Sequence, residues 1–499
     1  MRTPPATLVA WLGCVARAQP RQPALVQDGS LCTYDELWAR SRRIARGLLA
    51  QPRFAPGARV GLLGANEPAY LLAYLGILRA GGVAVPLNAM LTDDELAEQM
   101  AFVDACGVIA GDSDPDTRAL LATRLAVWSP AELEEAHTEG RLPGVTPSSV
   151  ACILLTSGTT GRPKGVVHTQ GTMLHAGLQL VAAFPFGPED RSVAFLPFFA
   201  SIPEQVIPTL LAGGTLDIVP RFDPERISRA CRDSTSFDAV PTLMARLLEH
   251  GRVDDLRRLR WVMFASEPMP VALLERWWEA TPAVATHTLY GMTEMLTITR
   301  ATDPLLRAAP DVVGTPFPTS DVAVVDRDGR PLPPGEAGEV VCASPARTQG
   351  YLDDAGATAA VLLPSGAIRT GDLGTLDEHG RLRLTGRLKD TIITGGLNVA
   401  PAEIEAVACR HPRVASAVVV GIPDARWGET PVVVAVPQSG DGLAPHELLS
   451  FCRGELPGFK RPSGAAVVES LPLTGIGKSA KAVVRQRVMQ GEIELVRAG

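Results

Sequence analysis

The sequence predicts an α/β protein: a large N-terminal domain of parallel-rich sheets covered by helices, with a small β-rich subdomain, and a small α+β C-terminal domain. The chain has 499 residues, which corresponds to several structural units at roughly 100–200 residues each. Short apolar runs alternate with helical stretches from residue 59 to residue 289, a pattern typical of parallel sheets with helical crossovers. After residue 312 the apolar runs become shorter and are joined by turns.

The clearest unit of the N-terminal domain lies between residues 59 and 86. The apolar run at 60–63 predicts a buried strand, which is followed by an amphipathic helix at 68–79 and a second strand at 82–86. The same alternation continues along the chain. It predicts strands at 150–155, 215–219, 237–240, 259–264 and 284–289, and helices at 204–211, 224–232, 242–250 and 271–280.

The β-rich subdomain is predicted at about residues 312–386, where short strands are separated by turns such as Asp328-Gly329. Its predicted strands lie at 321–325, 338–341 and 381–384. After residue 386 mixed structure returns, with helices at 402–410 and 445–453 and strands at 415–420, 432–436 and 465–468. We therefore expect one domain at residues 1–386 and a second at residues 387–499.

Composition and charge exclude several classes of protein. The chain has 47 Lys and Arg against 54 Asp and Glu, and no basic block interleaves with aromatic residues, so a nucleic-acid partner is not expected. Eight scattered cysteines form no CxxC pair, and eight histidines lack metal-ligand spacing. The apolar region 70–87 is interrupted by Arg79 and is not a membrane span, and no secretory signal is evident. We expect a cytoplasmic protein.

The most specific motif is residues 155–166 (LTSGTTGRPKGV), which follows the predicted strand at 150–155. Its glycines permit tight turns whose backbone N–H groups converge on phosphate oxygens, its hydroxyls add donors, and its lysine adds a mobile charge. It is not a Walker A loop, because Pro163 stands where that pattern needs glycine before the lysine. The predicted phosphate-binding residues are Thr156, Ser157, Gly158, Thr159, Thr160, Gly161 and Lys164.

This loop resembles the signature of the adenylate-forming enzymes, which include acyl-CoA synthetases, the adenylation domains of peptide synthetases and beetle luciferase. The resemblance covers almost the whole chain, because six further signatures of the family follow in the family's order. They are residues 290–294 (YGMTE), 335–340 (GEAGEV), 369–374 (RTGDLG), 386–392 (GRLKDTI), 395–404 (GGLNVAPAEI) and 474–478 (TGIGK).

The resemblance implies a two-step reaction with ATP, Mg²⁺ and coenzyme A. A carboxylate attacks the α-phosphate of ATP to give acyl-AMP and pyrophosphate, and a thiol then displaces AMP to form a thioester. The first step brings two anions together and needs cationic stabilisation. By resemblance, Lys478 bridges the carboxylate and the α-phosphate, Thr293 contacts the α-phosphate, and Glu294 is a Mg²⁺ ligand.

The remaining nucleotide contacts are also implied by resemblance. Tyr290, with Gly291 beside it, would stack against adenine, and Asp372 would accept hydrogen bonds from the ribose hydroxyls with Arg387 alongside. The family's C-terminal domain is a mobile lid that rotates between the two steps, and its hinge matches Lys389. The coenzyme A contacts that the resemblance implies are Gly395 and Gly396, which would border the thiol tunnel, and Trp427, Phe459, Lys460 and Arg461.

The predicted acyl pocket is formed by Phe199, Ala200, Ser201, Ser266 and Glu267. A small residue at position 200 indicates a wide pocket. No carboxylate stands at 199–201 to hold a substrate ammonium, and an unpaired buried ammonium would be costly, so an α-amino acid is disfavoured. We expect a bulky, apolar acid. Glu267 is interpreted as a salt-bridged structural residue rather than an acceptor on the pocket floor.

The sequence thus predicts an acid–thiol ligase that activates a small-molecule carboxylic acid and transfers it to coenzyme A, as a monomer or homodimer. Two close alternatives remain: a carrier-protein phosphopantetheine as acceptor, and an enzyme that performs only the thioesterification half-reaction on a preformed acyl-AMP. A luciferase-like oxygenase shares the motifs, and a non-catalytic acyl-nucleotide binding protein is a further alternative.

Overall fold

The fold is described from a computed structural model of the 499-residue chain. It covers residues 5–111, 125–136, 139–157, 163–395, 397–438, 442–473 and 479–497. Several predicted site residues lie outside these ranges. They are Gly158, Thr159, Thr160, Gly161, Gly396 and Lys478.

The largest sheet in the N-terminal part contains nine strands among the described residues, and its centre is parallel. One face, with Phe237 and Val262, packs against covering helices that include the helix with Trp277. The other face, with Met263 and Leu289, packs against Phe184 at the end of the helix Gln170–Ala183. In spatial order the strands are Thr315–Pro316, Thr299–Ala301, Ala285–Tyr290, Trp261–Phe264, Ser236–Ala239, Arg191–Ala194, Thr215–Ile218, Pro23–Gln27 and Ser30–Thr33.

The second sheet contains seven strands within the described ranges and mixes parallel and antiparallel pairs. The helix Pro68–Arg79 packs between the sheets and is buried on nearly every side. The prediction of a helix is confirmed, but the prediction that it is amphipathic was wrong, because a helix enclosed on all sides is apolar almost throughout. In spatial order the strands are Gly350–Tyr351, Pro163–Thr169, Val150–Ser157, Val83–Pro86, Arg59–Leu63, Ala105–Ala110 and Ala126–Trp128.

The remaining helices of the N-terminal part cover these sheets or connect their strands. Where they begin, threonine or serine often supplies the cap, as Thr33 does for the helix Tyr34–Leu49. These helices are Leu8–Ala18, Tyr34–Leu49, Asp93–Phe102, Pro130–Glu135, Phe198–Ser201, Ile207–Leu211, Pro224–Ala230, Pro241–His250, Val253–Leu256, Val271–Ala280, Asp303–Ala308 and Ala355–Val361.

One predicted helix differs in form. A regular helix was expected at 204–211, but the helical segment begins at Phe198 and includes a π-helical turn, Ile202–Val206. The N–H of Ile207 bonds to the carbonyl of Ile202, five residues back. Pro203 and Pro208 lack N–H donors, so regular hydrogen bonding cannot run through this segment.

The β-rich subdomain is a four-stranded antiparallel sheet made of Asp321–Val325, Ala337–Ala343, Ile368–Leu376 and Leu382–Arg387. Three of these strands overlap the predicted ones, whereas Ile368–Leu376 was not predicted. A short 3₁₀ turn, Leu388–Asp390, separates this sheet from the next. The division at residues 386 and 387 remains a prediction.

The C-terminal part is a six-stranded sheet, by the residues described, with helices packed on it. A large N-terminal part and a small C-terminal part of mixed α/β structure confirm the predicted fold class. Among the described residues, no helix combines the length and the apolar character needed to cross a bilayer. The strands are Ile392–Thr394, Leu397–Val399, Val414–Asp424, Gly428–Pro437, Gly464–Val467 and Val496–Arg497, and the helices are Pro401–Ala408, Pro445–Glu455, Lys481–Met489 and the 3₁₀ turn Gly458–Lys460.

Candidate nucleotide and acyl site

The predicted phosphate loop joins two antiparallel strands, Val150–Ser157 and Pro163–Thr169. Thr156 and Lys164 face each other across this pair, so both lie at the mouth of the hairpin. The loop residues 158–162 are not among the described residues. In a Walker A motif the loop joins a strand to a helix, whereas here it joins two strands. This agrees with the prediction, made from Pro163, that the loop is not a Walker A motif.

Glu294 and Lys164 meet at Tyr351, a residue that the sequence analysis did not identify. The Tyr351 hydroxyl donates to Glu294 Oε1 at 2.6 Å, and Lys164 Nζ lies 4.7 Å from the centre of the Tyr351 ring. Burial, together with the hydrogen bond to Glu294, raises the pKa of Tyr351, so this hydroxyl keeps its proton and acts as a donor. Tyr351 therefore orients the carboxylate while supporting the lysine.

Thr293 is tied to the same hairpin through His168. The His168 ring nitrogen Nε2 lies 2.7 Å from the carbonyl oxygen of Thr293, and the side chain is fully buried. The turn after Tyr290 is tight, because a Cβ at Gly291 would lie 1.9 Å from the carbonyl oxygen of Leu296. Residues 290–294 therefore need glycine at position 291, and the backbone of Thr293 is held in place from the phosphate hairpin.

Tyr290, Asp372 and Arg387 form one hydrogen-bonded group. The Tyr290 hydroxyl donates to Asp372 Oδ2 at 2.6 Å, and Arg387 Nε donates to Oδ1 at 3.0 Å. Asp372 is 6% exposed and lies within the strand Ile368–Leu376, so it is not a turn aspartate. Burial and the charge of Asp372 raise the pKa of Tyr290. Three predicted nucleotide residues from distant parts of the chain are thus brought together.

The predicted acyl-pocket residues follow two strands of the nine-stranded sheet. Phe199, Ala200 and Ser201 come after Arg191–Ala194, in a segment that Asn66 holds through hydrogen bonds to the carbonyl of Leu196 and the N–H of Phe198. Ser266 follows Trp261–Phe264 with φ of 79°, a left-handed conformation that non-glycine residues rarely adopt and that often marks functional sites.

Glu267 caps the helix Pro241–His250. Its Oε1 accepts hydrogen bonds from the backbone N–H of Thr242 at 2.9 Å and from the Thr242 hydroxyl at 2.6 Å. These contacts with a threonine at a helix start agree with the interpretation of Glu267 as a structural residue. Glu267 thus stabilises the rim of the predicted pocket.

The predicted coenzyme A residues lie on the C-terminal sheet and beside it. The N–H of Gly395 donates to the carbonyl of Trp427 at 2.8 Å, and a Cβ at Gly395 would lie 2.8 Å from the Trp427 ring. Trp427 and Phe459 are 46% and 40% exposed. Lys460 is ion-paired with Glu403, and Arg461 donates to the carbonyl of Leu456. Lys389 is exposed in the 3₁₀ turn between the two sheets, as a hinge would require.

The residues present fit a Mg²⁺ ion held largely by a nucleotide. In the part of the chain that is described, no three His, Cys, Asp or Glu residues form a metal-binding group. Glu294 is half-buried, and Tyr351 fixes one of its oxygens. Mg²⁺ takes hard oxygen donors and is often held by one or two protein carboxylates together with phosphate oxygens and water, so a single oriented carboxylate is sufficient.

Two buried histidines are expected to make the fold sensitive to acid. Burial lowers the pKa of His168 and of His287 from 6.5 to about 4. At pH values between about 4 and 6.5, the two histidines bind protons in the unfolded chain but not in the folded chain. The free energy of unfolding should therefore fall as the pH drops from 6.5 towards 4, by on the order of 2–3 kcal/mol for each histidine. Urea denaturation at several pH values between 7.5 and 5 measures this slope.

Substitution separates these histidines from other acid effects. His168→Gln should reduce the slope of stability against pH, because one buried neutral imidazole is removed. His250→Gln changes an exposed histidine and is the matched control that should keep the slope of the unmodified protein. An unchanged slope in His168→Gln would contradict the assignment of His168 as a source of the acid sensitivity.

Comparison with known proteins identifies the family. The model of the AMP-binding enzyme family matches residues 14–352, and the model of the AMP-binding enzyme C-terminal domain matches residues 403–478. The chain is 36% identical over 493 residues to a feruloyl-CoA synthase of Amycolatopsis sp, covering 96% of this chain and 99% of that protein. It is 32% identical over 512 residues to the fatty acid–[acyl-carrier-protein] ligase ScoC of Streptomyces coeruleorubidus, covering 96% of both chains.

A solved structure agrees over the full fold. ATP-bound MatB from Rhodopseudomonas palustris superposes with a TM-score of 0.89 at 31% identity, covering 96% of this chain and 98% of that chain. The family matches span the domain that carries the phosphate hairpin and most of the C-terminal part. The predictions of an adenylate-forming family and of an enzyme are thereby confirmed, and the chain belongs to the AMP-binding enzyme family.

Proposed function

We propose that the protein joins a carboxylic acid to coenzyme A through an acyl-adenylate formed with ATP. In the first step a carboxylate oxygen attacks the α-phosphorus of ATP and the bond to pyrophosphate breaks. In the second step the thiol sulfur of coenzyme A attacks the acyl carbon, AMP leaves, and the thiol proton passes to solvent. The names of relatives such as feruloyl-CoA synthase support this acyl-CoA ligase activity, and the ATP-bound MatB structure supports ATP as the nucleotide.

The proposal rests on one observation, which is that the strand Pro163–Thr169 and its partners bring three predicted site residues together. This one strand bears Lys164 and holds Thr293 through His168, and its neighbour Gly350–Tyr351 orients Glu294. A cation, a fixed backbone turn and an oriented carboxylate at one place suit an attack on a phosphate. Lys164 would contact phosphate oxygens, and Thr293 the α-phosphate.

The adenosine moiety would be held by Tyr290 and Asp372. Tyr290 would present its ring to adenine, and each Asp372 oxygen has a second lone pair to accept a ribose hydroxyl beside its protein donor. Glu294 would hold Mg²⁺, which when bound neutralises charge on the phosphate oxygens. Lys478 would bridge the two reacting anions from the C-terminal part.

Tyr351→Phe is expected to raise the Mg²⁺ concentration required for half-maximal pyrophosphate release about tenfold. The substitution removes the hydroxyl that orients Glu294 but keeps the ring beneath Lys164. Titration of Mg²⁺ in a coupled pyrophosphate assay measures it. Tyr74→Phe is the matched control, because the Tyr74 hydroxyl is buried and makes no hydrogen bond among the described residues. Equal Mg²⁺ requirements in the two variants would refute the role of Tyr351.

The acid is proposed to be bulky and largely apolar and not an α-amino acid. The segment at residues 199–201 supplies no carboxylate for an ammonium group. Ser201 is buried and donates to the carbonyl of Leu196, so its hydroxyl is engaged by the backbone.

The exposed rings of Trp427 and Phe459 suit the nucleotide of coenzyme A, although Lys460 is already paired with Glu403.

A carrier-protein acceptor is the second candidate, and the similarity to ScoC favours it. The test is acid-dependent pyrophosphate release across a panel of carboxylic acids, with coenzyme A, with a phosphopantetheinylated carrier protein, or with neither. Release that is stimulated by coenzyme A and yields acyl-CoA supports the proposal. If the protein converts synthetic acyl-AMP to a thioester but shows no acid-dependent release of pyrophosphate, it performs only the thioesterification half-reaction and the proposal is wrong. Oxygen consumption with acyl-AMP would indicate an oxygenase.

A further inference from the structure

A group of unpaired polar atoms is buried on one face of the nine-stranded sheet, away from the predicted nucleotide residues. This face, called the inner face below, is the one that bears Met263. Ser236 and Asp238 lie on the strand Ser236–Ala239, and Gln205 lies on the π-helical turn. Ser236 Oγ, both Asp238 carboxylate oxygens and Gln205 Oε1 are shielded from solvent and have no hydrogen-bond partner among the described residues. Buried polar groups are nearly always paired, so a concentration of unpaired ones calls for an explanation.

The sheet register places Asp238 on the face that the π-helical turn covers. Asp238 pairs with Met263, and Met263 pairs with His287, so these three side chains share one face. The opposite face bears Phe237 and Val262. The turn is held on the inner face because Gln205 Nε2 donates to Ser192 Oγ and to the carbonyl of Val193.

Asp238 lies beneath the predicted acyl pocket. Its strand stands between Arg191–Ala194 and Trp261–Phe264 in the sheet, the two strands that continue into Phe199–Ser201 and into Ser266. Asp238 pairs with Met263, three residues before Ser266. At about 3.3 Å per extended residue, Asp238 lies at most about 10 Å deeper than Ser266, because the strand ends at Phe264. An acid that consists of a six-membered ring and a short side chain would span such a depth.

The chemistry of this group suits a neutral polar partner. Burial and the nearby negative charge of Glu204, on the same π-helical turn as Gln205, raise the pKa of Asp238 well above its ordinary value, against a smaller lowering by the backbone N–H of Ala239. A neutral carboxyl group has one O–H donor and an acceptor oxygen, the Ser236 hydroxyl can also do both, and Gln205 Oε1 accepts. A hydroxyl group matches this set because it donates one hydrogen bond and accepts others.

We propose that Asp238, with Ser236 and Gln205, forms a polar subsite at the inner end of the acyl pocket and binds a hydroxyl group of the acid. This inference rests on the proposed function and narrows its substrate class. The acid is bulky and largely apolar, and it carries a hydroxyl group at the end remote from the carboxylate. Asp238 is then a specificity-determining residue that discriminates a hydroxylated acid from its deoxy analogue.

The test compares matched acids with and without the hydroxyl group, such as para-hydroxyphenylpropanoate and phenylpropanoate. The unmodified protein is expected to favour the hydroxy acid at least about tenfold in kcat/KM for pyrophosphate release, because the deoxy acid leaves the buried groups unpaired. Asp238→Leu should abolish or reverse this preference. Met263→Leu changes an apolar neighbour in the same row and is the control that should keep the preference.

A second readout separates a binding role from a structural one. Asp238→Leu removes an unpaired buried acid, so the melting temperature of the ligand-free protein should rise. A fall would indicate that Asp238 supports the fold. If the leucine variant does not fold, Ser236→Ala decides the question: a preference reduced about threefold is expected, and an unchanged preference contradicts the subsite.

Failure of this inference is distinguishable from failure of the proposed function. Calorimetric titration of the same acids in the presence of AMP gives their relative dissociation constants without turnover. Absence of pyrophosphate release with every acid would contradict the proposed function, while the binding ratio would still test Asp238. Equal binding of the two acids, preference for the deoxy acid, or preference for an amine-bearing analogue would overturn the subsite.

Discussion

Lys478→Ala is expected to lower acid-dependent pyrophosphate release by about 10²–10³-fold, the loss typical of removing one group that stabilises developing charge. Lys478 closes the motif at residues 474–478 (TGIGK), and the family resemblance places its cation between the carboxylate and the α-phosphate. Thioester formation from preformed acyl-AMP does not require that bridge, so it should stay within a few-fold of the unmodified protein. Exchange of labelled pyrophosphate into ATP and acyl-CoA formation from synthetic acyl-AMP measure the two steps separately.

The control for this prediction is a lysine three residues further along. Lys481 Nζ lies 2.7 Å from Glu405 Oε1, so its charge is engaged within the C-terminal part. Lys481→Ala should affect both half-reactions only slightly. Loss of both half-reactions in Lys478→Ala would indicate a general disturbance of the C-terminal part, and normal adenylation in that variant would refute the catalytic assignment.

Local elements were predictable from local patterns. The helix Pro68–Arg79 was predicted with the bounds that the structure shows, because proline suits the first turn of a helix and a glycine pair follows its end. The strand Val83–Pro86 was predicted to within one residue. The π-helical turn was not predicted, although Pro203 and Pro208 already exclude regular helical hydrogen bonding there. Its contact with the neighbouring strand, from Gln205 to Ser192, is one that no periodicity encodes.

The same limit applies to the candidate site. Motifs predicted the nucleotide-binding residues, but not the residues that hold those side chains in place. His168 contacts Thr293 from 125 positions away, and Tyr351 contacts Glu294 from 57 positions away. Neither residue has a spacing in the sequence that points to its partner, because both contacts join segments that meet only in the folded chain. Tyr351, for example, lies on a strand that pairs with Pro163–Thr169. Asp238 was missed for the same reason.

Asp372→Asn is expected to lower kcat/KM for ATP about 100-fold and to lower the free energy of unfolding by about 2 kcal/mol. Both carboxylate oxygens of Asp372 face donors, Tyr290 on one side and Arg387 on the other. An asparagine can keep its oxygen towards Arg387 only by turning its NH₂ group towards the Tyr290 hydroxyl, which must then accept instead of donate. The ion pair with Arg387 and the charge-assisted hydrogen bond from Tyr290 are both replaced by weaker neutral contacts. Steady-state kinetics with varied ATP and urea denaturation measure the two effects.

A control just beyond the same strand and a double-substitution cycle make the prediction specific. Asp377, just beyond the end of the strand Ile368–Leu376, is ion-paired with Arg381, so Asp377→Asn should reduce stability with little effect on ATP. Adding Tyr290→Phe to Asp372→Asn removes one of the two opposed donors. Because each single variant already removes the charge-assisted hydrogen bond between Tyr290 and Asp372, the double variant should lose less stability than the two single losses add up to. Additive losses would mean that Tyr290 and Asp372 act independently, and the nucleotide site would then not depend on their hydrogen bond.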